Sequence, residues 1–163
     1  MAITALRQMI ENQSQEKMTI QNKWPNDLLV NEKKVAGLLL SSKISQKDCE
    51  FVILGIGLNL ASNPDKTMFP ASNLEENGIN LSQTEALTNF LNEFEKLYEN
   101  WLNYGFSGIR KLWLKEAYRL NEEISVKDGE KFTQGIFKDL DEDGNLILET
   151  ENGVKKVSAS DIF

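Results

Sequence analysis

At 163 residues the chain has the size of one ordinary domain, or of one domain carrying a small second module. Hydrophobic residues make up 40% and charged residues 26%, near globular averages, which excludes a disordered or low-complexity chain. There is no histidine and Cys49 is the single cysteine. Ser-His and Cys-His catalysis, His-ligated metal, cysteine zinc clusters and a disulfide framework are therefore excluded, and no metal ligands are assigned.

The net charge of −7 gives no electrostatic attraction to nucleic acid or to an anionic membrane surface, so neither is expected as a partner. That charge is uneven: residues 1–120 carry −1 and residues 121–163 carry −6, which suggests a boundary near 120. The longest apolar run, Phe51 to Leu58, is far short of the ~20 residues a membrane helix needs. Arg7 and Glu11 interrupt the N-terminal stretch, so no signal peptide is read and a cytoplasmic location is expected.

Ile3, Leu6, Met9 and Ile10 have helical spacing, and nothing ahead of them caps the helix, as though polypeptide upstream were missing. Met18, Ile20, Asn22 and Trp24 alternate as a strand before the turn Pro25-Asn26-Asp27. Leu28 to Val30 resumes the strand, Asn31 to Lys34 makes a polar hairpin turn, and Val35 to Leu40 returns. After a turn at Gln46-Lys47-Asp48, Phe51 to Leu60 is nearly continuous apolar strand, a pattern that predicts burial on both faces.

Residues 61–80 contain two of the three prolines and little periodicity, so they read as a loop of about twenty residues, long enough to demand a function. Ser82 and Glu85 form a capping box for an amphipathic helix running through Phe90, Phe94, Leu97 and Trp101. A second helix is predicted with Ile109, Leu112, Trp113, Ala117 and Leu120 facing inward. From Asn121 the period changes to two, with turns at Asp128-Gly129, Asp143-Gly144 and Asn152-Gly153. That predicts a small SH3-like β-barrel, and an α+β fold overall.

Gly55-Ile56-Gly57 lacks a third glycine and a following helix, so it is a poor dinucleotide fingerprint; glycines in a buried strand instead let something approach the backbone. Lys23-Trp24-Pro25-Asn26-Asp27 is more specific: a cation held at a strand end by a tryptophan and a turn-setting proline. With Lys34-Val35-Ala36-Gly37-Leu38-Leu39, Gly55-Ile56-Gly57-Leu58-Asn59 and Phe69-Pro70-Ala71-Ser72-Asn73-Leu74 in that order, the chain resembles the biotin protein ligases. The C-terminal residues resemble them too, at Gly135-Ile136, Asp143-Gly144-Asn145-Leu146 and Ser158-Ala159-Ser160-Asp161.

The resemblance implies the C-terminal half of the ligase catalytic domain over 1–120, part of a mixed sheet like that of class II aminoacyl-tRNA synthetases, and an SH3-like domain over 121–163. It implies that ATP, with Mg²⁺, adenylates biotin, which then passes to a lysine of the biotin carboxyl carrier domain of acetyl-CoA carboxylase. Lys23 would be the catalytic cation and would bind biotin with Gly37, Leu39 and Gly57; Asn26, Asn59, Phe69 and Ala71 would bind ATP or the adenylate. The loop 61–80 would close over adenine, mobile until ligand binds. The family also carries a G-R-G-R-x-G-R loop upstream of the first helix, so the missing N-terminal half of the ligase is an expected partner and self-association through uncovered apolar surface is expected without it. Ser41 stands where the family favours glutamate. A catalytically inactive remnant serving as a binding or assembly module is the alternative. The intact K-W-P-N-D motif argues against a lipoate ligase.

Overall fold

The computed structural model describes residues 1–45, 48–67, 69–128, 131–158 and 162. Gln46, Lys47 and Gly129 of the expected turns, Met68 in the loop, and the motif residues Ala159 to Asp161 lie outside the described residues. The chain opens with α1 (Ala2–Gln13), which has no side-chain cap and buries Ile3, Leu6, Met9 and Ile10. Strands β1 (Ile20–Lys23), β2 (Asp27–Val30), β3 (Lys33–Ser45) and β4 (Asp48–Leu58) form a sheet in that order. Its ladders are antiparallel, and among the described residues parallel pairing is confined to isolated bridges, Asn22 with Ala117 and Lys34 with Ala71. Asn31 and Glu32 connect β2 to β3 with φ of 49° and 63°, the left-handed pair that a two-residue hairpin turn requires.

Helix α2 (Gln83–Tyr104) starts at the expected capping box, with both the Ser82 and Glu85 bonds in place, and α3 (Phe106–Lys115) follows Gly105. A second antiparallel sheet comprises β5 (Glu123–Asp128), β6 (Lys131–Leu140), β7 (Leu146–Thr150) and β8 (Gly153–Val157) in order. Ile162 bridges back to Val126, so the end of the chain returns to the first strand of this sheet. The α+β class read from the periodicity is the class found. No helix among the described residues is long and apolar enough to cross a membrane.

Three expectations need correction. The apolar run of β4 is not buried on both faces: Phe51, Val52 and Ile53 are about half exposed, and Leu39 and Leu40 on β3 are about two-thirds exposed. The reason is length, because β2 accompanies β3 only as far as Gly37 while β3 and β4 continue as a two-stranded ribbon. Ladder neighbours alternate faces, so apolar side chains protrude from both sides of that ribbon. The inward face of α3 is also shorter than expected, since Ile109 and Trp113 are buried but Leu112 is not.

The twenty-residue loop is the third correction. Its second half is stitched to the sheet: Lys34 N–H donates to Pro70 O (2.7 Å), Ser72 N–H to Lys34 O (3.0 Å) and Leu74 N–H to Asn59 O (2.9 Å). Leu74 and Ile79 are buried, and a 3₁₀ turn spans Glu75–Asn77. Only the stretch before Phe69 keeps the sparse bonding that the sequence suggested.

Candidate functional site

Register places the site. Lys23 pairs with Asp27, Asp27 with Gly37, and Gly37 with Gly57, so these four residues form one rung across β1 to β4. Residues on one rung share a face of the sheet, and two of the four have no side chain. The result is a trough with a glycine floor and a lysine and a carboxylate at one end. It belongs to a cavity of about 600 Å³ that Asn59, Phe69 and Ala71 also line.

Lys23 is buried, 6% exposed, and its ammonium lies 4.5 Å from the centre of the Phe69 ring. Its strand is held on both sides, by β2 and by the chain leaving α3. Asn22 N–H donates to Glu116 O (2.8 Å), Tyr118 N–H to Asn22 O (2.9 Å), and the buried Asn22 amide to Trp113 O (3.0 Å). Trp24 beside it is buried, and its indole N–H donates to Gly144 O (3.1 Å) in the β6–β7 turn. The Trp24–Pro25 peptide is cis.

Sequence reasoning left Lys34 out of the site. Its ammonium pairs with the Asp27 carboxylate at 2.7 Å, and both line the cavity. Among the described lining residues, two lysines and one carboxylate therefore give a locally positive cavity in a chain of net charge −7. The available signal was the register itself: a four-residue step around the Pro25 turn sets Asp27 opposite Lys23, and the two-residue hairpin returns Lys34 beside it.

Of the residues singled out from sequence, the structure brings together Lys23, Gly37, Gly57, Asn59, Phe69 and Ala71. Leu39 stands one pleat further along the same face, opposite Gly55, with 69% of its surface exposed and outside the cavity. Asn26 is not in the cavity; its amide donates to Leu38 O and its carbonyl accepts from Leu38 N–H (2.9 Å), which clamps the turn onto β3. Asn59 lines the cavity while its amide donates to Ser72 O (2.8 Å), so it also pins the loop.

The chain is similar to known proteins over most of its length. Residues 1–59 match the biotin/lipoate A/B protein ligase family and residues 120–163 the biotin protein ligase C terminal domain. The chain is 37% identical over 147 residues to the biotin–acetyl-CoA-carboxylase ligase of Paracoccus denitrificans, a match covering 86% of this chain and 61% of that protein. The chain belongs to the biotin protein ligase family.

Other members of this family match as well. The bifunctional ligase/repressor BirA of Bacillus spizizenii is 31% identical over 145 residues, covering 86% of this chain and 45% of that protein. The chain thus spans roughly half of each of these two ligases. The apo structure of the Aquifex aeolicus biotin protein ligase superimposes with a TM-score of 0.81 at 25% identity, covering 99% of this chain and 71% of that one. The same ligase in complex with biotin and ATP has the same fold, at a TM-score of 0.79, 24% identity and coverage of 99% and 68%.

Proposed function

We propose that this chain is the part of a biotin protein ligase that carries the lysine on which the chemistry turns. It would act in ATP-dependent attachment of biotin to a lysine of a biotin carboxyl carrier domain, that of acetyl-CoA carboxylase. The observation that carries this reading is the rung Lys23–Asp27–Gly37–Gly57, with a buried ammonium at the end of a glycine-floored trough. Adenylation brings two anions together: a biotin carboxylate oxygen attacks the α-phosphorus of ATP and pyrophosphate leaves. A preorganised cation between carboxylate and phosphate lowers that barrier in a site where water is displaced. In the second step the acceptor lysine amine attacks the acyl carbon, and AMP leaves.

Gly37 and Gly57 leave room for the fused rings along the floor, with Leu39 further out on the same face; Asn59, Phe69 and Ala71 border the nucleotide side, and Asn26 contributes by holding the turn. Asp27 is the carboxylate among the described lining residues, and Lys34 already pairs with it, so magnesium is proposed to arrive on the triphosphate. The division into 1–120 and 121–163 is proposed as catalytic part and C-terminal domain, and the location as cytoplasmic.

The β3–β4 ribbon supports a further element of the proposal. Leu39, Leu40, Phe51, Val52 and Ile53 are exposed from both of its faces, more than an isolated soluble domain ordinarily leaves uncovered. The ligases of Paracoccus and Bacillus carry further polypeptide beyond the matched segment, and we propose that its equivalent covers this ribbon and completes the biotin pocket; without it the chain self-associates. The test is biotinylation of a carrier domain by the chain alone and mixed with a polypeptide corresponding to the unmatched part of the Paracoccus ligase. The expected result is activity in the mixture and little in the chain alone. No activity in the mixture, with both polypeptides folded, would leave the assembly-module reading in its place.

A further inference from the structure

We propose that Tyr118 is a positioning residue for the Lys23 ammonium, acting through the ring of Phe69; the inference rests on the ligase reading for what the ammonium then does. Tyr118 does not line the cavity. Its ring meets Phe69 at 6.3 Å between centres and 86° between planes, an edge-to-face contact, while the Lys23 ammonium sits over the Phe69 ring at 4.5 Å. The Arg119 guanidinium lies 5.3 Å from the Tyr118 ring, so the sequence cation, ring, ring, cation runs from the cavity to the junction that leads into β5.

The two aromatic residues differ in how firmly their backbones are held, and that sets the direction of the effect. Tyr118 N–H is bonded to Asn22 O, Asn121 N–H to Phe137 O (2.7 Å) and Glu122 N–H to Arg119 O (3.1 Å), which fixes the junction to both sheets. Phe69 lies between the sparsely bonded stretch 61–67 and Pro70, whose carbonyl accepts from Lys34 N–H, and its own carbonyl accepts from Thr67 Oγ1 (2.6 Å). A ring whose backbone is tied to the sheet on one side takes its orientation from the partner tied to both sheets, and a perpendicular pair is the arrangement that ring quadrupoles favour. With Phe69 so oriented, its π-face is presented to the ammonium. Lys23 is then held at the end of the trough before any anion arrives, which is what preorganisation requires. Nothing in this chain of contacts needs the Tyr118 hydroxyl.

The experiment uses the intact chain labelled for NMR, with ATP as the probe. Wild type is expected to give nuclear Overhauser contacts from the Lys23 ε-methylene to the Phe69 ring and an upfield ring-current shift of those protons. Tyr118→Phe keeps both, whereas Tyr118→Leu loses the shift and binds ATP roughly two- to twelve-fold more weakly, the range for one aromatic pair. A Lys23 signal unchanged in Tyr118→Leu overturns the proposal, as does Tyr118→Phe losing as much as Tyr118→Leu. Should Tyr118→Leu fail to fold, the wild-type contacts and Phe69→Leu decide: absence of the contacts, or a Lys23 shift that survives loss of the Phe69 ring, overturns it. A wild-type chain that shows the Lys23 shift but is unaffected by saturating ATP counts against the ligase reading while leaving the positioning role standing.

Discussion

Replacing Lys23 by methionine separates charge from packing. The lysine is 6% exposed, so its aliphatic stem is core volume, and Lys23→Ala would remove about 0.8 kcal/mol of burial per methylene, or roughly 2.5 kcal/mol in all. Methionine keeps an unbranched stem of similar length. What it loses includes the ammonium's contact with the Phe69 ring, about 0.5 to 2 kcal/mol, and what it gains is relief from burying a charge. These offset each other, so stability should change by no more than about 1 kcal/mol. Catalysis should not be spared. Loss of a preorganised cation aimed at developing negative charge costs about a hundredfold or more, roughly 3 kcal/mol in the barrier. The assay is biotinyl-adenylate formation by the chain together with the unmatched ligase polypeptide, beside thermal unfolding of each variant. Adenylate formation in Lys23→Met within threefold of wild type would remove Lys23 from the chemistry. Destabilisation as large as that of Lys23→Ala would show that the burial argument is wrong.

Other substitutions test the floor and the C-terminal sheet. A Cβ at Gly37 would stand 3.1 Å from Asp27 Oδ1 and 3.3 Å from Lys34 Nζ, both mobile side-chain ends, so Gly37→Ala should cost under about 1 kcal/mol of stability yet weaken biotin binding at least about tenfold by calorimetry. Gly135→Ala meets backbone instead, 2.5 Å from Glu149 O, and should destabilise the chain by about 1–3 kcal/mol or more in denaturant titration. The Asp141 carboxylate is held well below its ordinary value of 3.8, first by the Asn145 side-chain amide, then by Lys156 and by the backbone N–H groups of Asn145 and Asp143. A depressed folded-state pKa contributes stability that is present above that ordinary value and is lost as pH falls below it. Urea midpoints of the wild type should therefore drop between about pH 5 and pH 2, and Asp141→Asn should flatten that slope; parallel slopes would exclude the group.

The parts of the fold that were legible in sequence depend on near neighbours. The capping box at Ser82 and Glu85 is closed within one turn of chain, and the Asn31-Glu32 hairpin within two residues. The candidate residues of β1, β3 and β4 were found by motif, and the register then set Lys23, Gly37 and Gly57 on one rung. Burial was less legible because it depends on what lies alongside: the apolar run of β4 carries the same letters where β2 ends as where it continues. Asn26 was assigned to ligand because its type and place suit either role, and its hydrogen bond to Leu38 O depends on a three-dimensional proximity that the sequence does not announce. The ordered half of the loop was missed because its partners, Lys34 and Asn59, are remote in sequence and contribute largely backbone groups, which no side-chain pattern announces.

The same reasoning explains how the C-terminal sheet bears on a site it does not line. Lys23 sits at the end of a four-residue strand, too short to hold a side chain rigidly through one ladder. Its second support is the segment 116–118, and that segment leads directly into β5 through Arg119 and Asn121, both with left-handed backbone. The turn that follows Lys23 is held at Trp24 by Gly144, and α3 is tied to the same region where Arg110 Nε donates to Leu140 O at 2.6 Å and pairs with Asp139. Each contact alone is an ordinary hydrogen bond of about 1 kcal/mol. Together they set the lysine's backbone from two sheets whose relative position three separate elements fix. A cation stabilises a transition state only where its place is fixed before the substrates arrive, so under the proposed ligase reading the acidic C-terminal sheet would contribute by geometry, its residues being absent from the described lining of the cavity.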